Sequence, residues 1–204
     1  SEAAVLESIL CMGDPAYDLQ GEQGVVAKLN EVQRSHLNMN QISPLPGTKK
    51  EITFIDSLLN QNSWQVQAYL GSEALEKQLK EAKSTKVMHL ATHGFFMPDL
   101  KLTELESQVG LNDYDRNPLF RSGLLFAGAS NIHEGVENDG VLTAYEAMNL
   151  YLDETELVIL SACETALGDV KNGEGVYGLQ RALMVAGAQN LIMSLWKVND
   201  EATM

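Results

Sequence analysis

Short runs of apolar, often β-branched residues recur along the chain and predict buried β-strands. These runs cover 5–12, 64–70, 87–92, 124–127, 157–160 and 191–198. Apolar residues at helical spacing lie between most of the runs. They predict helices over 21–36, 49–60, 72–82, 143–151 and 176–186. The alternation of strands with helices is typical of an α/β fold with a mostly parallel central sheet.

Polar residues at the predicted helix starts support these boundaries. Thr48 with Glu51, and Thr143 with Glu146, have the spacing of a capping box. Ser72 precedes the apolar positions of its helix and is expected to be the N-cap. All three helices are therefore expected to begin at a side-chain cap.

Two of the predicted strands end in residues that can carry out chemistry. Residues 157–160 lead into a short turn that contains Cys163, and residues 87–92 lead into His93. The carboxyl ends of parallel strands meet at one edge of a sheet, so His93 and Cys163 meet if their strands are neighbours. An imidazole that removes the proton of a thiol, whose ordinary pKa is about 8.5, produces a thiolate that attacks carbonyl groups. The pair predicts thiol acyl transfer.

Four motifs resemble the CHAT domain, a caspase- and separase-like cysteine peptidase domain that is often joined to tetratricopeptide repeats. They are GDPAY at 13–17, LPGTKKE at 45–51, HLATHGFF at 89–96 and the long run at 157–203. The resemblance covers most of the chain and implies a caspase-like three-layer sandwich, with His93 and Cys163 as the catalytic dyad. The caspase signature Gln-Ala-Cys-x-Gly is absent around Cys163, so the resemblance is to a relative of the caspases.

Two further sets of site residues are expected beside the dyad. The backbone N–H groups of Gly94 and Cys163 are candidate donors to the oxyanion of a tetrahedral intermediate. Caspases select aspartate with arginines that follow the first strand and the strand after the cysteine's helix, and here those places hold Asp14 and Asp200. A pocket of reversed charge is expected to bind Arg or Lys before the cut. Ordinary roles stay open, because Asp14 precedes Pro15 in a turn and Asp200 is placed to cap a helix.

A metal site and a nucleotide site are both disfavoured. His89 and His93 are separated by about 13 Å along a strand, too far to share a zinc ion, whose bonds to nitrogen are about 2 Å. His89 is therefore expected to be a hydrogen-bonded core histidine. The sequence at 173–178 matches G-x-G-x-x-G, but a long segment separates it from the strand, and Glu174 would repel phosphates. Its glycines are expected to give a loop conformational freedom, and no cofactor is expected.

Composition and charge restrict the class of protein. The chain has 204 residues, of which 45% are hydrophobic, as expected for one soluble domain over 1–204. No apolar run reaches the roughly 18 residues of a membrane helix, and two cysteines suit a reducing cytoplasm. The formal charge of −14 repels nucleic acid and favours basic polypeptides, or serves solubility alone. The chain lacks an initiator Met and is expected to be a piece truncated at its C-terminal end.

These observations favour a cysteine endopeptidase that acts on protein substrates under the control of a partner or flanking repeat domain. The segment 164–172 joins the cysteine to its helix, and is expected to become ordered when substrate or a partner binds. Lys171 is the basic residue of that segment and a candidate for self-cleavage. The alternative is a catalytically idle domain that serves as a regulated interaction module.

Overall fold

Alternating helices and strands build two sheets of different kinds. The computed structural model describes residues 7–19, 42–83, 85–96, 117–131, 138–161 and 174–193. Its elements are β1 (Ser8–Pro15), α1 (Pro46–Gln61), β2 (Gln65–Gly71), α2 (Glu76–Glu81), β3 (Val87–Ala91), β4 (Gly94–Phe96), β5 (Ser122–Leu125), β6 (Val141–Thr143), α3 (Ala144–Ala147), β7 (Leu157–Leu160), α4 (Glu174–Val185) and β8 (Leu191–Met193). No helix among these is long and apolar enough to span a membrane.

The larger sheet is parallel and has the strand order β2-β1-β3-β7-β8. Each pair of neighbouring strands in it runs in the same direction. Leu90 of β3 lies opposite Met12 on one side and Leu160 on the other. The predicted α/β fold with a mostly parallel central sheet is confirmed.

Side chains alternate between the two faces of this sheet, and helices cover both faces. On one face, Leu10 and Met12 pack with residues of α2, α3 and α4 in a single buried cluster. On the other face, Ile9 and Cys11 pack against Ile52 of α1. Burying a large apolar side chain contributes about 1.5–3 kcal/mol. The apolar stripes of the helices thus give three layers, as in the caspase-like sandwich.

The smaller sheet is antiparallel and was not predicted in full. Its strand order is β4-β5-β6, with Gly94 opposite Leu124 and Thr143 opposite Gly123. β4 and β6 have three residues each, too few to show a period of two in the sequence. β3 ends at Ala91 and β4 begins at Gly94, so His93 lies where the chain passes from one sheet to the other.

Two predicted caps at helix starts are wrong. α1 begins at Pro46, because the hydroxyl of Thr48 donates to the Leu45 carbonyl and accepts the N–H of Asp14 instead of closing a capping box. α2 begins at Glu76, and its N-cap Leu75 makes no side-chain hydrogen bond, so Ser72 caps nothing. At the start of α1, a neighbouring segment thus uses the hydroxyl of Thr48 in a way that sequence spacing does not show.

The second capping box is confirmed, and several boundaries shift. Thr143 accepts the N–H of Glu146, and the Glu146 carboxylate accepts the N–H of Thr143. The helix that they cap ends at Ala147, short of the predicted 151. β1 continues to Pro15, beyond the predicted 12, because it keeps pairing with β2 up to Gly71. The predicted helix over 21–36, and the part of the last strand beyond 193, lie outside the described residues.

Candidate functional site

His93 lies at the carboxyl end of a central strand of the parallel sheet. β3 ends at Ala91, β4 begins at Gly94, and His93 stands between them with 3% of its surface exposed. Its backbone carbonyl accepts the N–H of Leu125 in β5 at 2.9 Å. The site residue predicted on this strand is therefore held between the two sheets.

The strand that leads to Cys163 is the parallel neighbour of β3, which meets the condition for bringing the two strand ends together. Leu160 of β7 lies opposite Leu90, and the N–H of Ser161 donates to the Leu90 carbonyl at 3.0 Å. Cys163 follows two positions later and lies outside the described residues. The adjacency of the two strand ends is shown, whereas the contact between the two side chains stays a prediction.

A backbone carbonyl orients the imidazole of His93. Nε2 of His93 lies 2.8 Å from the carbonyl oxygen of Ser43. A carbonyl only accepts, so Nε2 carries the hydrogen, and Nδ1 of the neutral ring has the lone pair that can take a proton. Sequence reasoning found no orienting third residue beside the dyad. It missed Ser43 because the group involved is a main-chain oxygen, which any residue type supplies.

Tyr17 contacts His93 from a second side and was also missed as a site residue. The two rings lie 5.5 Å apart between centroids, at an interplanar angle of 34°. The Tyr17 hydroxyl lies 3.3 Å from the His93 backbone nitrogen and 3.1 Å from Oγ1 of Thr92. The GDPAY motif contains Tyr17, but nothing in the sequence links it to a histidine 76 positions away.

The pairing of β4 with β5 determines the direction of the backbone N–H of Gly94. The hydrogen bond from Leu125 to His93 makes those two residues a bonded pair of the antiparallel ladder. Bonded and non-bonded pairs alternate, so Gly94 and Leu124 form a non-bonded pair, and the N–H of Gly94 is directed away from β5. The second predicted donor, the N–H of Cys163, lies outside the described part of the chain.

An acidic pocket of about 620 Å³ is lined in part by Tyr17, the residue that contacts His93. Pro44 also lines the pocket, and it directly follows Ser43, whose carbonyl binds the imidazole of His93. Its lining includes Asp14, Pro15, Tyr17, Asp18, Pro44 and Ser130. Among the described lining residues, the charged side chains are the two aspartates and none is basic. Asp200, the other predicted pocket residue, lies outside the described residues.

Asp14 combines a backbone role with its place in the pocket. Its φ is 44°, in the left-handed region that Asp tolerates better than most residues. The pairing of β1 with β2 shifts register between Gly13 and Pro15, and the Asp14 N–H donates to Oγ1 of Thr48 at 2.7 Å. The irregularity turns Asp14 out of the regular ladder while its half-buried side chain lines the pocket. The predicted turn-setting role and the predicted pocket position are thus compatible.

The other candidates, His89 and the Gly-rich motif, take part in hydrogen bonding and helix packing. Nε2 of His89 lies 3.0 Å from the Glu51 carboxylate, so His89 is a hydrogen-bonded core histidine as predicted. Within the described ranges, no three His, Cys, Asp or Glu residues are grouped to hold a metal ion.

The expectation of a loop at the Gly-rich motif is wrong from Glu174 onward, where α4 has already begun. A Cβ on Gly178 would lie 3.0 Å from Oγ of Ser122, so this glycine lets α4 approach β5 closely.

Comparison with known proteins gives one family. The model of the CHAT domain matches residues 1–204. A search of curated proteins finds no significant match.

Proposed function

Because the chain belongs to the CHAT domain family, which is related to the caspase-like cysteine peptidases, we propose that it is a cysteine endopeptidase that uses His93 and Cys163. One observation carries the proposal. Leu90 and Leu160 lie opposite each other on parallel neighbouring strands, and each of the two catalytic residues follows its leucine by three positions. Because both residues follow a paired position by the same number of residues on parallel strands, we expect the base and the thiol at one edge of the sheet.

The chemistry follows from the orientation of the imidazole. Nδ1 of His93 takes the proton of the Cys163 thiol, and the thiolate attacks the carbonyl carbon of the scissile peptide bond. The N–H groups of Gly94 and Cys163 bind the resulting oxyanion. The tetrahedral intermediate then collapses, the C–N bond breaks, and the imidazolium protonates the leaving amine. Water, deprotonated by His93, hydrolyses the thioester and restores the thiol. The Ser43 carbonyl holds the ring throughout and stabilises its charged form.

The acidic pocket supports a substrate with Arg or Lys before the cut. Asp14 and Asp18 line it, and Tyr17, which also lines it, contacts the proposed base His93. A charge-assisted hydrogen bond contributes about 1.5–3 kcal/mol, which corresponds to a preference of roughly ten- to a hundredfold in rate. Asp200 is the second carboxylate proposed for this role. A peptide library with Asp or a bulky apolar residue preferred at that position would contradict this specificity.

Control by a partner or flanking domain is proposed as well. CHAT domains are often joined to repeat domains, and the segment 164–172 directly follows the nucleophile. We expect the chain alone to have low activity and this segment to gain protease resistance when a substrate analogue binds. Full activity of the chain alone, with the segment already resistant, would contradict this control.

A thiol-directed peptide ketone with arginine next to the reactive group tests the activity. It should label the wild-type chain at Cys163, and Cys163→Ala should lose both labelling and cleavage of an arginine peptide. Cys11→Ala is the matched control and should retain both, because Cys11 lies inside β1. Turnover in Cys163→Ala well above background would refute the nucleophile. A chain that is folded but never labelled would favour the interaction module.

A further inference from the structure

Four residues form a closed ring of hydrogen bonds around the backbone of His93. The His93 N–H donates to the Tyr17 hydroxyl at 3.3 Å. The Thr92 hydroxyl donates to the carbonyl of Leu125, so in its 3.1 Å contact with Tyr17 it accepts the hydrogen of the phenol. The N–H of Leu125 returns to the His93 carbonyl at 2.9 Å. Each donor in the ring thus has a defined acceptor.

This ring replaces a single bond of the regular ladder. His93 and Leu125 already share one bond, and in an antiparallel pair the His93 N–H would donate directly to the Leu125 carbonyl. Here two hydroxyl groups stand between that donor and that acceptor. They also occupy the point where β3 ends and β4 has not yet begun. The two hydroxyls therefore set the backbone position from which the imidazole projects.

We propose that Tyr17 is a positioning residue for His93, which acts through its hydroxyl and the hydroxyl of Thr92. This inference rests on the proposed catalytic role of His93. Tyr17 is 4% exposed and Thr92 is fully buried, so water does not readily substitute for either hydroxyl. The ring of Tyr17 packs beside the imidazole, and its hydroxyl holds the main chain of the same residue.

Tyr17 also links the base to the acidic pocket. It lines the pocket together with Asp14, near the end of β1, and Asp18, which follows that strand. A substrate side chain that contacts this part of the chain therefore presses on the residue that positions the base. The arrangement gives the chain a physical connection between occupation of the pocket and alignment of Nδ1 for proton transfer.

The test compares three variants of the full chain. Tyr17→Phe removes one hydroxyl and keeps the ring, and Thr92→Val removes the other and keeps the shape. Tyr69→Phe is the control, because Tyr69 is a half-buried tyrosine of β2. In an ¹⁵N-labelled chain, the Nε2–H that donates to Ser43 should give a slowly exchanging ring signal, assigned by its loss in His93→Gln. Tyr17→Phe and Thr92→Val should each shift or broaden it, and Tyr69→Phe should not.

Kinetics on an arginine peptide supply the second measurement. Each hydroxyl deletion should lower kcat by about tenfold, since small displacements of a catalytic group are costly, with KM changed less than about twofold. The double variant should be no worse than about either single variant, because the two hydroxyls act as one unit. Additive losses, or a raised KM with unchanged kcat, would overturn the proposal and leave Tyr17 as a pocket wall.

The two measurements separate this inference from the proposed function. If the wild-type chain has no peptidase activity while the His93 signal responds to both deletions, the function fails and the positioning role stands. If activity is present and the signal is unchanged in both variants, the positioning role fails and the function stands. Should Tyr17→Phe not fold, Thr92→Val decides both measurements by itself.

Discussion

At the scale of single residues, burial makes the thiol of Cys11 unreactive. Cys11 is fully buried in β1, and burial, followed by the nearby charges of Asp56 and Glu51, raises its pKa to about 12. A thiol reacts as its thiolate. Its position in the strand and its environment both indicate a structural side chain, in agreement with the prediction from the sequence.

Alkylation of the native chain tests the burial of Cys11 and the proposed reactivity of Cys163. At pH 8, iodoacetamide should leave Cys11 unmodified while it modifies Cys163. A pKa of about 12 in place of an ordinary 9.0 lowers the thiolate fraction of Cys11 about a thousandfold. Mass spectrometry of tryptic peptides measures both sites, and alkylation in urea should modify Cys11 fully. Rapid modification of Cys11 in the folded chain would show that β1 opens or that its burial is incomplete.

Asp14 carries the prediction of specificity at this scale. Asp14→Asn should lower kcat/KM for an arginine peptide by about ten- to a hundredfold, because a neutral amide makes a weaker hydrogen bond to a cation. Asn also tolerates the positive φ of this position, so stability should change little. A peptide with alanine before the cut is the matched control and should be cut at the wild-type rate. Equal losses on both peptides would mean that the pocket role is wrong.

At the scale of elements, the small antiparallel sheet depends on a close approach at Gly123. A Cβ there would overlap the carbonyl oxygen of Leu142 and lie 2.7 Å from the ring of Phe95. Both neighbours belong to the strands that pair with β5. The sheet that carries Gly94 and follows His93 therefore requires a residue without a side chain at its centre.

Gly123→Ala should lower the free energy of unfolding by about 1–3 kcal/mol, the usual range for an overpacked core. Urea denaturation measures the loss. Gly71→Asn is the control, because a Cβ at Gly71 meets open space and Asn accepts its φ of 57°. Equal stability of Gly123→Ala and the wild type would contradict the packing of this sheet.

At the scale of the whole molecule, a buried ionic cluster joins three parts of the chain. Lys80 of α2 pairs with Glu76 on its own helix and lies 3.0 Å from the carboxylate of Glu146 on α3. Glu76 also accepts the N–H of Gly140, which precedes β6, at 3.2 Å. Glu76 is 1% exposed, and its burial raises the pKa of its carboxyl group to about 7, with Lys80 opposing the shift. The cluster therefore makes the stability of the molecule depend on pH.

The sign follows from the two states of Glu76. Between the ordinary pKa of 4.5 and the folded value of about 7, the folded chain keeps a proton that the unfolded chain has lost. The contribution of Glu76 to the free energy of unfolding thus decreases as pH rises through this window, by about 3 kcal/mol in all. Urea denaturation at pH 5, 6, 7 and 8 measures it.

Glu76→Gln should remove this pH dependence, because the amide mimics the protonated acid and still accepts from Gly140. Glu73→Gln, an exposed neighbour, is the control and should keep the wild-type slope. If Glu76→Gln and the wild type lose stability in parallel between pH 5 and pH 8, the cluster does not govern this dependence.

The sequence by itself determined the layers of the fold and the position of His93 at a strand end. Buried strands in a parallel sheet are continuous apolar runs, and helices repeat at their own period, so β3, β7 and α4 were predictable from local pattern. Thr143 and Glu146 were predictable as a capping box, because both partners of that box lie within one turn. A strand end is likewise local, which is why His93 was found from the sequence.

Tertiary structure alone decided what surrounds that histidine. Ser43 contributes a main-chain oxygen, and Tyr17 reaches His93 across 76 positions. The hydroxyl of Thr48 accepts the N–H of Asp14 in β1 instead of closing a capping box on its own helix. These contacts join segments that are distant in sequence, and no spacing rule encodes them. The three-residue strands β4 and β6 were not predictable from the sequence either. Neighbouring strands hold them in place, and three residues are too few to show the alternation of a strand.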